Sequence, residues 1–317
     1  MNAVNDDTDA TLAIVFPGQG SQSVGMLSEL AARFPLVNET FTQASDVLGY
    51  DLWTQIQDGP GDAITRPDRT QPAMLAAGVA VWRVWQQEHG ATPCAMAGHS
   101  LGEYSALVCA GALDFSDTVS LVEERGRCMQ SAVPAGAGAM AAILGLDDAA
   151  VADVCNRAAE SEVVSAVNFN SPGQVVIAGN ADAVQRAISL AKEAGAKRAL
   201  PLAVSVPSHC SLMQPAAEQF AERLAQTSIS TPSIPVIQNV DAARHDQPDA
   251  IRENLEKQLY RPVQWVLSVQ NMGGQGITRI VEAGPGKVLT GLCKRIDKSI
   301  AGAAVFDPAS LAAALGR

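Results

Sequence analysis

Short apolar runs ended by glycine or proline alternate with segments whose apolar residues recur at helical spacing. Residues 12–16 (Leu-Ala-Ile-Val-Phe) form the first run, ended by Pro17-Gly18-Gln19-Gly20, and predict a buried strand entering a tight loop. Residues 71–85 carry apolar side chains at helical spacing, and the pattern stops at His89-Gly90. Gly90 is placed to take the left-handed position after the helix, and His89 sits near its negative end. Residues 94–97 predict a second strand, followed by Gly98-His99-Ser100-Leu101-Gly102 and a helix over 103–110; a further helix is predicted over 114–130. Strand, turn and helix in alternation predict an α/β fold with a mainly parallel sheet.

Between 133 and 204 the rhythm changes. Strands are predicted over 138–144, 163–168, 174–178 and 198–204, with helices over 147–159 and 182–194. That β-α-β-β-α-β order is the ferredoxin-like arrangement, a unit able to bury its own core. The α/β rhythm then resumes with a strand over 234–240, a helix over 249–260 and a strand over 279–283. The expected organisation is a flexible tail over 1–10, an α/β core from 11–132 and 205–317, and an inserted α+β subdomain over 133–204.

The 317 residues are 47% hydrophobic and 17% charged, enough for a sizeable core. With 22 Lys plus Arg against 33 Asp plus Glu, the net charge is −11, which argues against a nucleic-acid or anionic-membrane binder. No apolar run approaches the roughly 20 residues of a membrane span. Asp6, Asp7 and Asp9 occupy the opening residues where a secretory signal would be basic, so a cytoplasmic protein is expected. The six cysteines lie far apart and the four histidines are scattered, which predicts reduced structural thiols and no metal site.

Gly98-His99-Ser100-Leu101-Gly102 matches G-x-S-x-G in the context that motif needs, after a predicted strand and before a predicted helix. The sharp turn exposes the serine hydroxyl, and the N–H of the next residue can face a developing oxyanion. A serine needs a general base. His99 adjoins Ser100 and points away from it on an extended segment, His89 belongs to a helix end, and His245 lies in a polar loop. His209, in Val206-Pro207-Ser208-His209-Cys210, follows a strand and is the candidate that elimination leaves. Cys210 beside it is a weaker alternative nucleophile, since nothing around it resembles an elbow. On the helix over 114–130, Arg125 shares an apolar face with Val122 and Met129. A charge there is costly unless paired, so it either snorkels, meets an internal carboxylate or receives a substrate carboxylate. The glycine loops 18–25 and 284–287 match neither the dinucleotide nor the P-loop spacing.

Taken together, five segments resemble, in family order, the malonyl-CoA:acyl carrier protein transacylases of fatty acid synthesis and the matching acyltransferase domains of polyketide and fatty acid synthases. They begin at Phe16, Gly98, Glu124, Val206 and Gln258 and span about residues 12–290. The resemblance implies a hydrolase-like α/β core with an inserted ferredoxin-like subdomain. It implies Ser100 as nucleophile, His209 as base, the backbone N–H groups of Gln19 and Leu101 as oxyanion hole, Arg125 as malonyl carboxylate partner, and the Gln258 carbonyl as the group that orients His209. Asp241 is the alternative acid for that last role. It further implies malonyl-CoA and acyl carrier protein as partners, no metal or organic cofactor, and a monomer. A serine esterase or thioesterase shares the serine and histidine but has no need of Arg125. An inactive acyltransferase-like interaction module would not need to keep all three.

Overall fold

The computed structural model describes residues 8–61, 64–204 and 206–317. Strand β1 (Thr8–Phe16) leads into three helices, α1 (Ser28–Arg33), α2 (Pro35–Leu48) and α3 (Leu52–Asp58), none of which the apolar pattern had marked. Then follow α4 (Pro67–Gln87), β2 (Thr92–Gly98), α5 (Gly102–Cys109) and α6 (Phe115–Ser131). The next six elements are β3 (Gly138–Leu144), α7 (Asp148–Ala159), β4 (Val164–Ser171), β5 (Gln174–Asn180), α8 (Ala181–Glu193) and β6 (Arg198–Pro201). The chain finishes with α9 (Gln214–Ala225), β7 (Val236–Ile237), α10 (Pro248–Lys257), α11 (Trp265–Gly274), β8 (Arg279–Ala283), α12 (Val288–Ile296), β9 (Ala301–Val305) and α13 (Pro308–Ala314).

One sheet has the order β7-β2-β1-β8-β9, and every neighbouring pair in it is parallel. Its centre, β1, is buried on both faces from Leu12 to Phe16, as a parallel strand between helical layers must be. From β1 the chain steps to β2 and β7 on one side, then crosses to β8 and β9 on the other. Ligands of open α/β sheets sit at the carboxyl ends of the strands where the order reverses, here at the ends of β1, β2 and β7.

The second sheet is antiparallel, with order β4-β5-β3-β6. Helices α7 and α8 cover one face, burying Ile143, Val151, Val175, Ile177, Val184 and Ile188 among them. The opposite face packs Met140, Val167 and Val176 on Cys210, so this sheet forms one wall beside the segment carrying His209. A single rung, Asn168 to Val263, with Val263 N–H donating to Val167 O at 2.8 Å, ties it to the chain just beyond α10.

Several boundaries differ from the sequence expectation. Residues 1–7 of the expected tail, and residue 205 where the second core segment was to begin, lie outside the described residues. Residues 8–10 belong to β1, not to the tail: Thr8 and Asp9 pair with Thr92 and Pro93, since a strand can extend past the core while its side chains reach solvent. Helix α4 starts four residues early, at Pro67, a residue suited to a first helical turn, and it continues through Pro72. At its end His89, with φ of 56°, takes the left-handed position expected of Gly90. Gly90 is required for another reason, because a Cβ there would lie 2.2 Å from the Trp85 indole. Strand β7 is only two residues long because Gln238 and Asn239 turn away to bond Ala243 and Glu103.

Candidate active site

The turn from β2 into α5 is built by close approach. Gly98 and Gly102 lie against each other and against the end of β1: a Cβ on Gly98 would fall 1.9 Å from the Gly102 carbonyl carbon, and one on Gly102 would fall 2.0 Å from Phe16 O. Only glycine fits either place. Between them Ser100 has φ of 51°, a left-handed conformation that costs a non-glycine residue about 1–2 kcal/mol. Its N–H donates to Asn239 Oδ1 at 2.7 Å, and Asn239 Nδ2 donates to Gly98 O at 2.6 Å, so one amide holds both flanks of the strained peptide.

His209 is also left-handed, with φ of 67°, and is buried. Its Nε2 lies 2.8 Å from Ser100 Oγ and its Nδ1 lies 2.7 Å from Gln258 O. A carbonyl can only accept, so Nδ1 carries the proton and the Nε2 lone pair faces the serine hydroxyl. Burial, and then the nearby Arg125 charge, push the imidazole down to about 3, which keeps it neutral with the Nε2 lone pair turned to the serine hydroxyl. Asp241 does not take the orienting role: its carboxylate bonds His245 Nε2 at 2.8 Å and Asn254 Nδ2 at 3.2 Å.

Arg125 projects from the buried face of α6 and is fully enclosed. Its Nη1 donates to Gln71 Oε1 at 2.8 Å, and its Nη2 to Gln258 Oε1 at 3.0 Å and Ser100 Oγ at 3.4 Å. The guanidinium carbon stands 5.4 Å from the Tyr104 ring centroid. Every one of these partners is neutral, and no carboxylate lies within ion-pair distance of Arg125 among the described residues. The guanidinium neither snorkels nor meets an internal carboxylate, and its Nε has no hydrogen-bond partner.

Gln19 lines the cavity at Ser100 and His209, and its Oε1 accepts from Gln71 Nε2 at 3.3 Å. The loop carrying it is pressed on the elbow, since a Cβ on Gly18 would fall 2.4 Å from His99 O. Leu101 is buried at the N-terminus of α5, where the first N–H groups of a helix lack intrahelical partners. The cavity measures about 310 Å³ and reaches between the two sheets, with Met140, Asn168, Leu202 and Val204 on the antiparallel side.

Cys210 is not an alternative nucleophile. Burial pushes its thiol up to about 11, and its Sγ donates to Pro207 O at 3.1 Å. His99 bonds Asn170 Oδ1 at 2.8 Å. Among the described residues no group of three His, Cys, Asp or Glu side chains could hold a metal, and no helix is long and apolar enough to cross a membrane.

Three polar residues of the site went unread in the sequence: Gln71, Asn239 and the Gln258 side chain. Gln71 stands on a helix face as apolar as that of Arg125, and that contrast was a usable signal. Asn239 lies two residues beyond β7, at the end where parallel sheets place their sites.

Comparison with known proteins shows the family. A family model described as the acyl transferase domain matches residues 13–313. The malonyl CoA-acyl carrier protein transacylase of Escherichia coli K12 is 59% identical over 303 residues, covering 96% of this chain and 98% of that one. The Bacillus subtilis protein of the same name is 45% identical over 305 residues, covering 96% of each. An acyl carrier protein S-malonyltransferase from Vibrio cholerae superposes with a TM-score of 0.94 at 60% identity, covering 96% of this chain and 99% of that one. A malonyl-transacylase solved in complex with its type II polyketide synthase acyl-carrier protein superposes at 0.95 with 56% identity, covering 96% and 99%. This chain therefore belongs to the acyl transferase family, on the branch of the malonyl-CoA:acyl carrier protein transacylases.

Proposed function

We propose that the protein moves a malonyl group from malonyl-CoA to the phosphopantetheine thiol of acyl carrier protein, feeding fatty acid synthesis, through an ester on Ser100. The observation that carries this reading is the buried Arg125 beside the serine hydroxyl, hydrogen-bonded only to neutral partners. A charge held out of water without a counter-ion is costly, and an acyl group bearing its own carboxylate supplies that ion.

In the first half-reaction the Nε2 of His209 takes the Ser100 hydroxyl proton as Oγ attacks the thioester carbonyl. The Gln258 carbonyl holds the imidazole in the required tautomer and favours the imidazolium that forms. The backbone N–H groups of Gln19 and Leu101 receive the oxyanion. The C–S bond then breaks, His209 returns the proton to the departing CoA sulfur, and malonyl-Ser100 remains. In the second half-reaction the carrier thiol gives its proton to His209 and attacks the ester, the C–O bond breaks, and His209 returns the proton to the departing Ser100 Oγ. The thioester is already activated, so no cofactor is needed.

The 133–204 segment is read as the unit that closes the cavity, and the protein as a cytoplasmic monomer. A serine hydrolase would use the same pair of side chains but has no use for a buried guanidinium beside the nucleophile. Steady-state kinetics with both substrates varied tests the mechanism: parallel double-reciprocal lines are expected, and intersecting lines would exclude a free acyl-enzyme.

A further inference from the structure

Glu103 lies in the first turn of α5, three residues beyond Ser100, and is fully buried. It contacts no reacting atom in the proposed chemistry, yet both of its oxygens are engaged. Oε1 accepts from Gln238 Nε2 at 2.9 Å, and Oε2 accepts from the Asn239 N–H at 2.7 Å. Burial pushes its carboxyl up to about 7, while these donors and the Gln258 amide favour the ionised form. A buried acid is costly to keep, and a glutamine or an apolar residue would fill the same space.

What the carboxylate does hold is the backbone at the end of β7. Two residues after Val236–Ile237, the chain leaves the sheet because the Asn239 N–H is drawn to Glu103. That bend presents the Asn239 side chain to the elbow, where it takes the Ser100 N–H and grips Gly98 O. Occupying the Ser100 N–H matters as well: in this turn the Gly102 and Glu103 N–H groups bond His99 O and Ser100 O, so the Leu101 N–H is the one left over.

We propose that Glu103 is a positioning residue for acyl transfer, acting through Asn239 to hold the strained Ser100 peptide so that its hydroxyl meets His209 and the Leu101 N–H stays available to the oxyanion. The proposal rests on the reading of Ser100 as nucleophile.

Glu103→Gln retains the volume but offers one acceptor and one NH2 group, so one of the two donors now meets a donor. Displacement of a reacting group by about 1 Å costs on the order of 100-fold, so the rate constant for malonylation of Ser100 should fall roughly 10- to 100-fold. Rapid-quench kinetics with radiolabelled malonyl-CoA reads that constant and the burst amplitude separately. The amplitude should remain that of the wild type, with KM for malonyl-CoA unchanged. An unchanged rate constant, with or without a reduced amplitude, would overturn the proposal, because a merely structural role removes active chains without slowing those that remain.

Glu103→Gln combined with Asn239→Ala should be no slower than Asn239→Ala alone; multiplied losses would overturn the coupling. Should the Glu103→Gln chain fail to fold, Asn239→Ala carries the test, with at least a tenfold loss at full amplitude expected and an unchanged rate refuting it. Absence of a malonyl-Ser100 burst in the wild type would instead refute the nucleophile.

Discussion

Replacing Arg125 by alanine should invert the enzyme's preference between malonyl-CoA and acetyl-CoA. The two acyl groups differ by one carboxylate. Arg125 is wholly enclosed, its three hydrogen bonds go to neutral oxygens, and burial pulls its pKa down. A malonyl carboxylate entering beside Ser100 finds a bidentate partner there. In the alanine variant it enters a closed space with no counter-charge. Breaking an analogous buried pair costs about 3–5 kcal/mol. At about 1.4 kcal/mol per decade, kcat/KM for malonyl-CoA should fall roughly 10²- to 10⁴-fold. The substitution also strips a donor from Gln71 Oε1 and Gln258 Oε1, but that loss falls on both substrates alike. Acetyl-CoA, which leaves the guanidinium unpaired in the wild type, should lose little or gain. The assay is acyl transfer from each thioester by wild type and variant, with the ratio of the two kcat/KM values as the readout. Equal losses for both substrates would mean that Arg125 supports the fold or the oxyanion site, and the selectivity argument would be refuted.

Reversing Lys294 and Arg295, both exposed in the last turn of α12, to glutamate should raise KM for carrier protein and leave malonylation by malonyl-CoA unaltered; equal effects on both half-reactions would exclude this patch as the docking site. The carboxyl of Glu103 is raised from 4.5 to about 7, so the folded chain holds a proton that the unfolded chain has lost, and its stability contribution declines as pH rises from 4.5 through 7. The stability advantage of wild type over Glu103→Gln should therefore shrink across that window by up to about 3 kcal/mol, and a constant difference in urea midpoints from pH 5 to 8 would contradict the assignment. Asp114 caps α6 by accepting the Asp117 N–H at 3.0 Å, so Asp114→Ala should cost about 1 kcal/mol in denaturant titrations without altering the malonyl-to-acetyl ratio.

The elements that were legible from the apolar pattern are those in which one period dominates. Strands β3 and β8 agree with their expected bounds, and α6 differs by one residue at each end, because Asp114 caps it and Val122, Arg125 and Met129 mark its inner face. The helices between Ser28 and Asp58 were missed. Helix α1 has six residues and no side-chain cap, whereas Pro35 at the start of α2 and the Asp51 cap of α3 were start signals that the sequence did carry. At the site, Ser100 was legible because its glycines are dictated by close packing, and His209 because the other three histidines had local explanations. The left-handed backbone of His209 and the reach of Asn239 were not, since both depend on contacts more than 45 residues away in the chain, from Leu259 O and Ser100 N–H. Arg125 announced itself as a charge on an apolar stripe; its partners Gln71 and Gln258 come from two other helical segments and could not be paired with it from spacing alone.

In the proposed reaction Ser100 carries the malonyl group between two thiols. Intact-mass and peptide mass spectrometry after mixing with malonyl-CoA tests it most directly, followed by addition of holo acyl carrier protein. A single malonyl adduct is expected on the Ser100 peptide, absent from Ser100→Ala, that carrier protein discharges far faster than water does. A malonyl adduct retained by Ser100→Ala, or one that water removes as quickly as carrier protein, would contradict it.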